Sequence, residues 1–228
     1  MKFRQYTNYL PFDGRLHATA RQIEDETMFF NFTSKDDIKP YSLARKFIAE
    51  LTANKRLDEL LRTAPWSLDT RSHMLMRGWY PAIPGWHHDD VDRGFDGQPD
   101  YTSGINLPNP EREMYAVVVD ALDAPTGSLT EFVCRGENVS VPWPVPTDAP
   151  IYRYWNQAIE SEDDSETFRV ESGRIVAFDQ HSFHRAVPAE STGWRWFARL
   201  TFNPGPRSGG PKIRRQSQVY LPATNSGW

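Results

Sequence analysis

The chain has 228 residues, of which 39% are hydrophobic and 13% aromatic, with 18 Pro, 14 Gly and a single Cys. That length and aromatic stock suit one large domain with a sizeable core, and a lone cysteine excludes a fold stapled by intrachain disulfides. A net charge of −4 disfavours extended nucleic-acid binding, which draws on many Lys and Arg contacts to phosphate.

The N-terminus, MKFRQYTNYLPFDG, has no apolar run of signal-peptide length. No stretch approaches the roughly 20 apolar residues of a membrane span, so the expectation is a soluble, cytoplasmic protein acting on a small molecule. In chain order, the first regular pattern is helical. From Pro40 to about Thr63, Leu43, Phe47, Leu51, Leu57, Leu60 and Leu61 recur at helical spacing with charges between them, and Pro65 stops the run.

The texture then becomes β-like. Strands are predicted at His73–Tyr80, Met114–Leu122 (with three consecutive valines) and Leu129–Cys134, the last entered through Pro125-Thr126-Gly127. A modest helix is expected at Pro150–Glu162, running into an acidic stretch, Glu160–Glu166, that reads as a solvated loop. Thr167–Ser172 and Arg174–Asp179 flank Gly173 and read as a tight hairpin. Trp194–Asn203 is a long alternating strand, Lys212-Ile213-Arg214-Arg215 reads as a basic solvated tail, and Gln218–Leu221 as a last short strand.

Many short strands with helices gathered toward the N-terminal half predict a mainly β fold with helical support. A double-stranded β-helix (a cupin-like jelly roll) is the best match. The expected organisation is a single domain: helical or irregular support over 1–70, the jelly-roll core over 71–203 and a C-terminal extension over 204–228.

Two segments carry chemistry. The first is Ile83-Pro84-Gly85-Trp86-His87-His88-Asp89-Asp90-Val91, and the second runs from Arg174 to Val187 and includes His181 and His184. A His and an Asp two positions apart on extended chain project to one face, where both reach a single metal. A distant His completes a facial triad and leaves open positions, the arrangement of non-haem Fe(II) oxygenases. His87/Asp89 and His88/Asp90 share this spacing, and a one-residue shift exchanges them. His184 is preferred to His181 as the third ligand, because Arg185-Ala186-Val187-Pro188 reads as a resumed strand.

On the strand that follows, Arg195, Phe197, Arg199 and Thr201 share one face, and Trp194, Trp196, Ala198, Leu200 and Phe202 the other. A dicarboxylate that chelates iron at one end needs a cation at the other, and the planar guanidinium fork suits it. Arg195 and Arg199 are both candidates, 11 and 15 residues after His184.

From about Met74 to Phe202 the chain resembles the Fe(II)/2-oxoglutarate-dependent dioxygenase superfamily, whose pattern is His-x-Asp, a distal His, and an Arg or Lys about a strand later. Trp86-His87-His88-Asp89 looks like the Trp-His-x-Asp version of phytanoyl-CoA-hydroxylase-like members; prolyl-hydroxylase-like enzymes share the jelly roll. The resemblance implies Fe(II) held by His87, Asp89 and His184, with Arg195, ahead of Arg199, on the distal carboxylate of 2-oxoglutarate. It implies O₂ as oxidant and oxidative decarboxylation of 2-oxoglutarate coupled to hydroxylation or a related oxidation. Trp79, Tyr80 and Trp86, beside the motif, are expected to wall the site, and Arg77 to meet an anionic substrate. The competing expectations are a cupin-type metalloenzyme that does not use 2-oxoglutarate, and a jelly-roll binding module with a vestigial metal site.

Overall fold

Alternation along Trp194–Phe202 sets the layers of the molecule. Trp196, Ala198, Leu200 and Phe202 are wholly buried on one side, while Arg195, Phe197 and Arg199 face a cavity on the other. The structure is a computed structural model that describes residues 2–10, 14–89, 112–134, 138–141, 151–161, 166–204 and 210–221.

In chain order its elements are β1 (Lys2–Arg4), β2 (Thr7–Tyr9), α1 (Ala20–Glu24), β3 (Met28–Phe30), α2 (Leu43–Thr52), α3 (Lys55–Thr63), β4 (Trp66–Leu75) and β5 (Met114–Asp120). Then come β6 (Thr130–Val133), β7 (Asn138–Ser140), α4 (Ile151–Ser161), β8 (Thr167–Arg169), β9 (Ile175–Phe178), β10 (His184–Ala186), β11 (Gly193–Phe202) and β12 (Lys212–Arg214).

A five-stranded sheet, ordered β2-β9-β5-β11-β4, faces a three-stranded sheet, ordered β10-β6-β8, and all pairs are antiparallel. Strand parity assigns every side chain to a layer. Met114, Ala116 and Val118 of β5 and Val176 and Phe178 of β9 point inward and pack with Phe132 of β6 and with Val170. Tyr115, Val117 and Val119 point outward to a second core, built with Phe47, Ile48 and Leu51 of α2 and Leu57 of α3. The result is the expected jelly roll: mainly β, with helices supporting the outer face of the larger sheet.

Several local expectations are corrected. The helix over Pro40–Thr63 is two helices, because Asn54 turns extended and its side chain accepts from Arg56 N and Leu57 N, capping α3. The strand expected at His73–Tyr80 begins at Trp66 and ends at Leu75. Gly78, at φ 85°, closes a turn there, with Trp79 N donating to Met76 O at 2.9 Å.

Gly173 does not close a hairpin. β8 pairs with β6 and β9 with β5, so this glycine carries the chain from one sheet to the other. The basic stretch Lys212–Arg214 is not a loose tail. It forms β12, paired with β3, and Lys212 and Arg214 lie over the Phe30 ring. Near Gln218–Leu221 the described pairing is a single bridge, Tyr80 to Tyr220. Residues 162–165 of the acidic run lie outside the described residues.

Gly173 tests the sheet switch. Its φ is +79°, and a Cβ there would sit 2.2 Å from the Leu16 carbonyl oxygen. Gly173→Ala is expected to lower unfolding free energy by about 3 kcal/mol or more, through left-handed strain and this clash. Gly210→Ala, with nothing within 4 Å of the added methyl, is the control. Urea denaturation of the two variants checks the difference.

Candidate metal centre

The candidate metal ligands are brought together by one bridge between distant segments. His87 N donates to His184 O at 3.0 Å, and His184 N donates to His87 O at 2.9 Å. This two-way exchange places the two residues opposite each other, with ring centroids 4.6 Å apart. Asp89, two positions on from His87, falls on the same side. One ligand atom from each of His87, Asp89 and His184 lies within 4.8 Å of the others. His184 Nε2 is 3.4 Å from Asp89 Oδ2, near the spacing of adjacent ligands around an octahedral ion, which bonds of roughly 2.1 Å place about 3 Å apart.

The rings are oriented for ligation. His87 Nδ1 lies 3.0 Å from Gly85 O, and His184 Nδ1 lies 2.9 Å from Ser182 O. With Nδ1–H donating to a carbonyl, each Nε2 keeps its lone pair for a metal. His184 is also held between Phe132 and Phe178, at centroid distances of 5.2 and 5.5 Å. Burial, with the neighbouring His184 adding to it, pushes His87 down to about 4, so it stays neutral at ordinary pH.

Burial opposes the Asp89 charge, but Arg199 and the two histidines outweigh it and hold the carboxyl well below the usual range. Arg199 Nη1 is 2.5 Å from Asp89 Oδ2, and its Nη2 is 3.0 Å from Asp69 Oδ2. Two imidazoles and an ionised carboxylate are a fitting donor set for Fe(II).

The same register sends the alternative residues elsewhere. His88 is buried and stacks on Trp155 at 4.6 Å, edge-on to Phe183. His181 lies 5.7 Å from His88 in this aromatic cluster, which also holds Phe3. Burial, then His181, pushes His88 well below its ordinary value. Asp90 lies outside the described residues.

The cavity beside the triad holds about 130 Å³, well above the roughly 10–15 Å³ that one water needs. Val118, Phe132, Val176 and Phe178 give it an apolar wall. Its other wall is polar and largely charged: Asp69, Arg71 and His73 from β4, Arg195 and Arg199 from β11, with burial, then Arg195 and Arg71, holding His73 well below its ordinary value. Register sets Arg195 opposite both His73 and Asp120, and Arg199 opposite Asp69. Asp120 is occupied, since it accepts from Thr126 N, Thr126 Oγ1 and Gly127 N, each at 2.8 Å. Arg195 is 3% exposed and forms no ion pair among the described residues; its Nε is buried without an acceptor. Burial pushes it down to about 10, with Asp120 opposing and Arg71 assisting, so it remains a cation at neutral pH.

Four residues expected at the site, Arg77, Trp79, Tyr80 and Trp86, do not line this cavity. Arg77 is exposed, and Tyr80 is bridged through its backbone to Tyr220. Trp86 is buried in a neighbouring core, with the Arg185 guanidinium 4.4 Å above its ring. Asp69, Arg71 and His73 stand in the cavity instead. Their signal is the alternation of Asp69, Arg71 and His73 with buried Leu68, Thr70 and Ser72, a pattern lost when the strand is started at His73.

No protein-family model matches the chain, and no curated protein matches it. Among solved structures it is similar to HygX from Streptomyces hygroscopicus with iron bound, at 13% identity and a TM-score of 0.44, covering 88% of this chain and 82% of that one. It is also similar to a Pseudomonas putida prolyl-4-hydroxylase, at 14% identity and a TM-score of 0.36, covering 87% and 99%. For EvdMO1 the figures are 13% and 0.33, covering 62% of this chain, and the chain spans only 27% of that protein's length.

Replacing His87, Asp89 or His184 by Ala is expected to weaken Fe(II) or Mn(II) binding about 100-fold or more by calorimetry, while His88→Ala keeps affinity within a few-fold and loses stability instead. Iron loss in His88→Ala with retention in His87→Ala would reverse the register. The metal-stripped protein should also weaken in acid. His87 takes its proton near 6.5 when unfolded and about 4 when folded. The stability it contributes is complete above 6.5 and is lost as pH falls toward 4. Urea midpoints across that range should drop, and less steeply in His87→Ala.

Proposed function

We propose that this chain is an Fe(II)- and 2-oxoglutarate-dependent dioxygenase that hydroxylates or otherwise oxidises a small molecule. The observation that carries the reading is the buried cation Arg195, without a carboxylate partner among the described residues, in the same cavity as a His87–Asp89–His184 donor set. A metal-binding fold has no need of such a cation, and leaving it buried costs free energy. A dicarboxylate chelating the metal at one end satisfies it at the other.

The direction of β11 supports the same assignment. Arg199 lies beside Asp89 and so marks the metal end. Arg195 is four residues earlier, about 13 Å along a strand, and its long side chain shortens that gap toward the reach of a five-carbon diacid. Arg199 is engaged by Asp69 and Asp89 and acts as a positioning residue: it keeps Asp89 ionised and oriented. Bound Fe(II) supplies O₂ activation coupled to conversion of 2-oxoglutarate to succinate and CO₂. The apolar wall of Val118, Phe132, Val176 and Phe178 excludes water from the reacting groups. No helix among the described residues is long and apolar enough to cross a membrane.

With Fe(II), ascorbate and 2-oxoglutarate, wild type is expected to release succinate slowly even without its substrate. No succinate together with no binding of metal or 2-oxoglutarate overturns the reading. Arg195→Met should weaken 2-oxoglutarate roughly 10- to 100-fold, the value of one charge-assisted pair, with little change in metal affinity. Arg199→Met should act mainly on the metal. If only Arg199→Met weakens 2-oxoglutarate, the anchoring role passes to Arg199.

A further inference from the structure

Three guanidinium groups line the cavity, and the proposed function uses two of them. The third is Arg71. It lies on β4 between Asp69 and His73, opposite Phe197 on β11. It is half-buried and makes no ion pair or side-chain hydrogen bond among the described residues. The nearby carboxylates, Asp69 and Asp89, both hold Arg199. β4 is the outer strand of the larger sheet, so Arg71 sits where the cavity meets its rim.

A second cation is brought to that rim by the C-terminal ribbon. β3 is fastened along β4: Phe29 N donates to Thr70 Oγ1 at 2.8 Å, Asn31 N to Asp69 Oδ1 at 3.0 Å, and Thr70 Oγ1 to Thr27 O at 3.2 Å. β12 pairs with β3 and sets Arg214 opposite Met28, which lies between the Thr27 and Phe29 contacts to Thr70, the residue next to Arg71. Arg214 lies flat over the Phe30 ring at 4.4 Å and makes no ion pair among the described residues. Burial, then Arg214 and Arg199, lower the Arg71 pKa against the opposing Asp69 and Asp89, in accord with the place the ribbon gives Arg214. Two like charges held together repel unless an anion lies between them, where each donates charge-assisted bonds.

We infer that Arg71 and Arg214 form an oxyanion subsite at the β4 rim of the cavity, and that the substrate is a small molecule bearing a carboxylate, sulfate or phosphate group. The inference rests on the function proposed above and adds the substrate class. The anion docks at the rim, and the remainder of the molecule extends past Phe197 toward the triad. Arg195 stays with the co-substrate, at the other end of the same face.

The test uses protein saturated with Mn(II), a redox-silent stand-in for iron, and with 2-oxoglutarate. Sulfate or propionate is titrated against chloride at fixed ionic strength, and the thermal midpoint is read. Wild type is expected to gain stability from at least one of the two anions. Arg71→Gln and Arg214→Gln should each abolish that gain, and Arg71→Lys should keep part of it. A response to sulfate alone indicates a sulfate or phosphate ester as substrate; a response to propionate indicates an acid. No gain in wild type, or a gain that persists in both Gln variants, overturns the subsite. A loss of 2-oxoglutarate affinity of about tenfold or more in Arg71→Gln also overturns it, because Arg71 would then serve the co-substrate. If wild type binds neither Mn(II) nor 2-oxoglutarate, the oxygenase reading fails, while the anion titration without them still reports on Arg71 and Arg214. Arg214→Gln, on a peripheral ribbon, keeps the test sound if Arg71→Gln misfolds; far-UV circular dichroism establishes which variants are folded.

Discussion

Two backbone hydrogen bonds between His87 and His184 set the geometry of the candidate metal centre. They join segments nearly a hundred residues apart, and they settle which of two adjacent histidines faces the cavity. Successive side chains on extended chain point to opposite sides, so displacing this bridge by one residue would exchange His87 for His88. The molecule commits both faces at once. His87 and His184 meet beside Asp89, while His88 and His181 meet in the aromatic cluster of Phe3, Trp155 and Phe183. Each arrangement reinforces the other, since a slip would put His88 at the cavity beside Asp89's partners and His87 among aromatic rings.

The larger sheet shows the same parity. On its outer face, Trp196, Ala198 and Leu200 meet the helices. On its inner face, β5 and β9 contribute apolar side chains, while β4 and β11 contribute Asp69, Arg71, His73, Arg195 and Arg199. A two-sheet core stocked this way on one side is unstable as packing alone, because buried charges need partners. Asp69 and Asp89 satisfy Arg199, and the Thr126–Gly127 turn occupies Asp120. What is left over is cationic. The imbalance is local, in a chain of net charge −4.

Much of this was legible in the sequence. The jelly-roll class followed from many short strands and turn signals, and the two faces of Trp194–Phe202 from plain alternation. The segments carrying the triad stood out by residue type and spacing. The choice between His87 and His88 was beyond local reading, because both copies have the same spacing and the deciding bonds are nonlocal. Gly173 misled for a related reason. A positive-φ glycine between two β-like runs closes a hairpin or switches sheets with the same local chemistry, and only the partners of β8 and β9 distinguish the two. Lys212–Arg214 read as solvated because its strand partner, Met28–Phe30, lies far back in the chain. The break at Asn54 was readable, since an Asn before a charged helical run is an N-cap signal.

The C-terminal ribbon ties these strands of argument together. β4 is an outer strand, and an outer strand that lines a cavity leaves one side of it open to whatever packs alongside. Here β3 and β12 pack there, held by backbone donors to the Thr70 and Asp69 side chains. Asp69 therefore has two duties: it accepts from Asn31 N and pairs with Arg199, which in turn holds Asp89. A chain of direct contacts thus runs from the ribbon through Asp69 and Arg199 to Asp89, so the carboxylate of the candidate metal centre is held in place by a strand from far back in the chain.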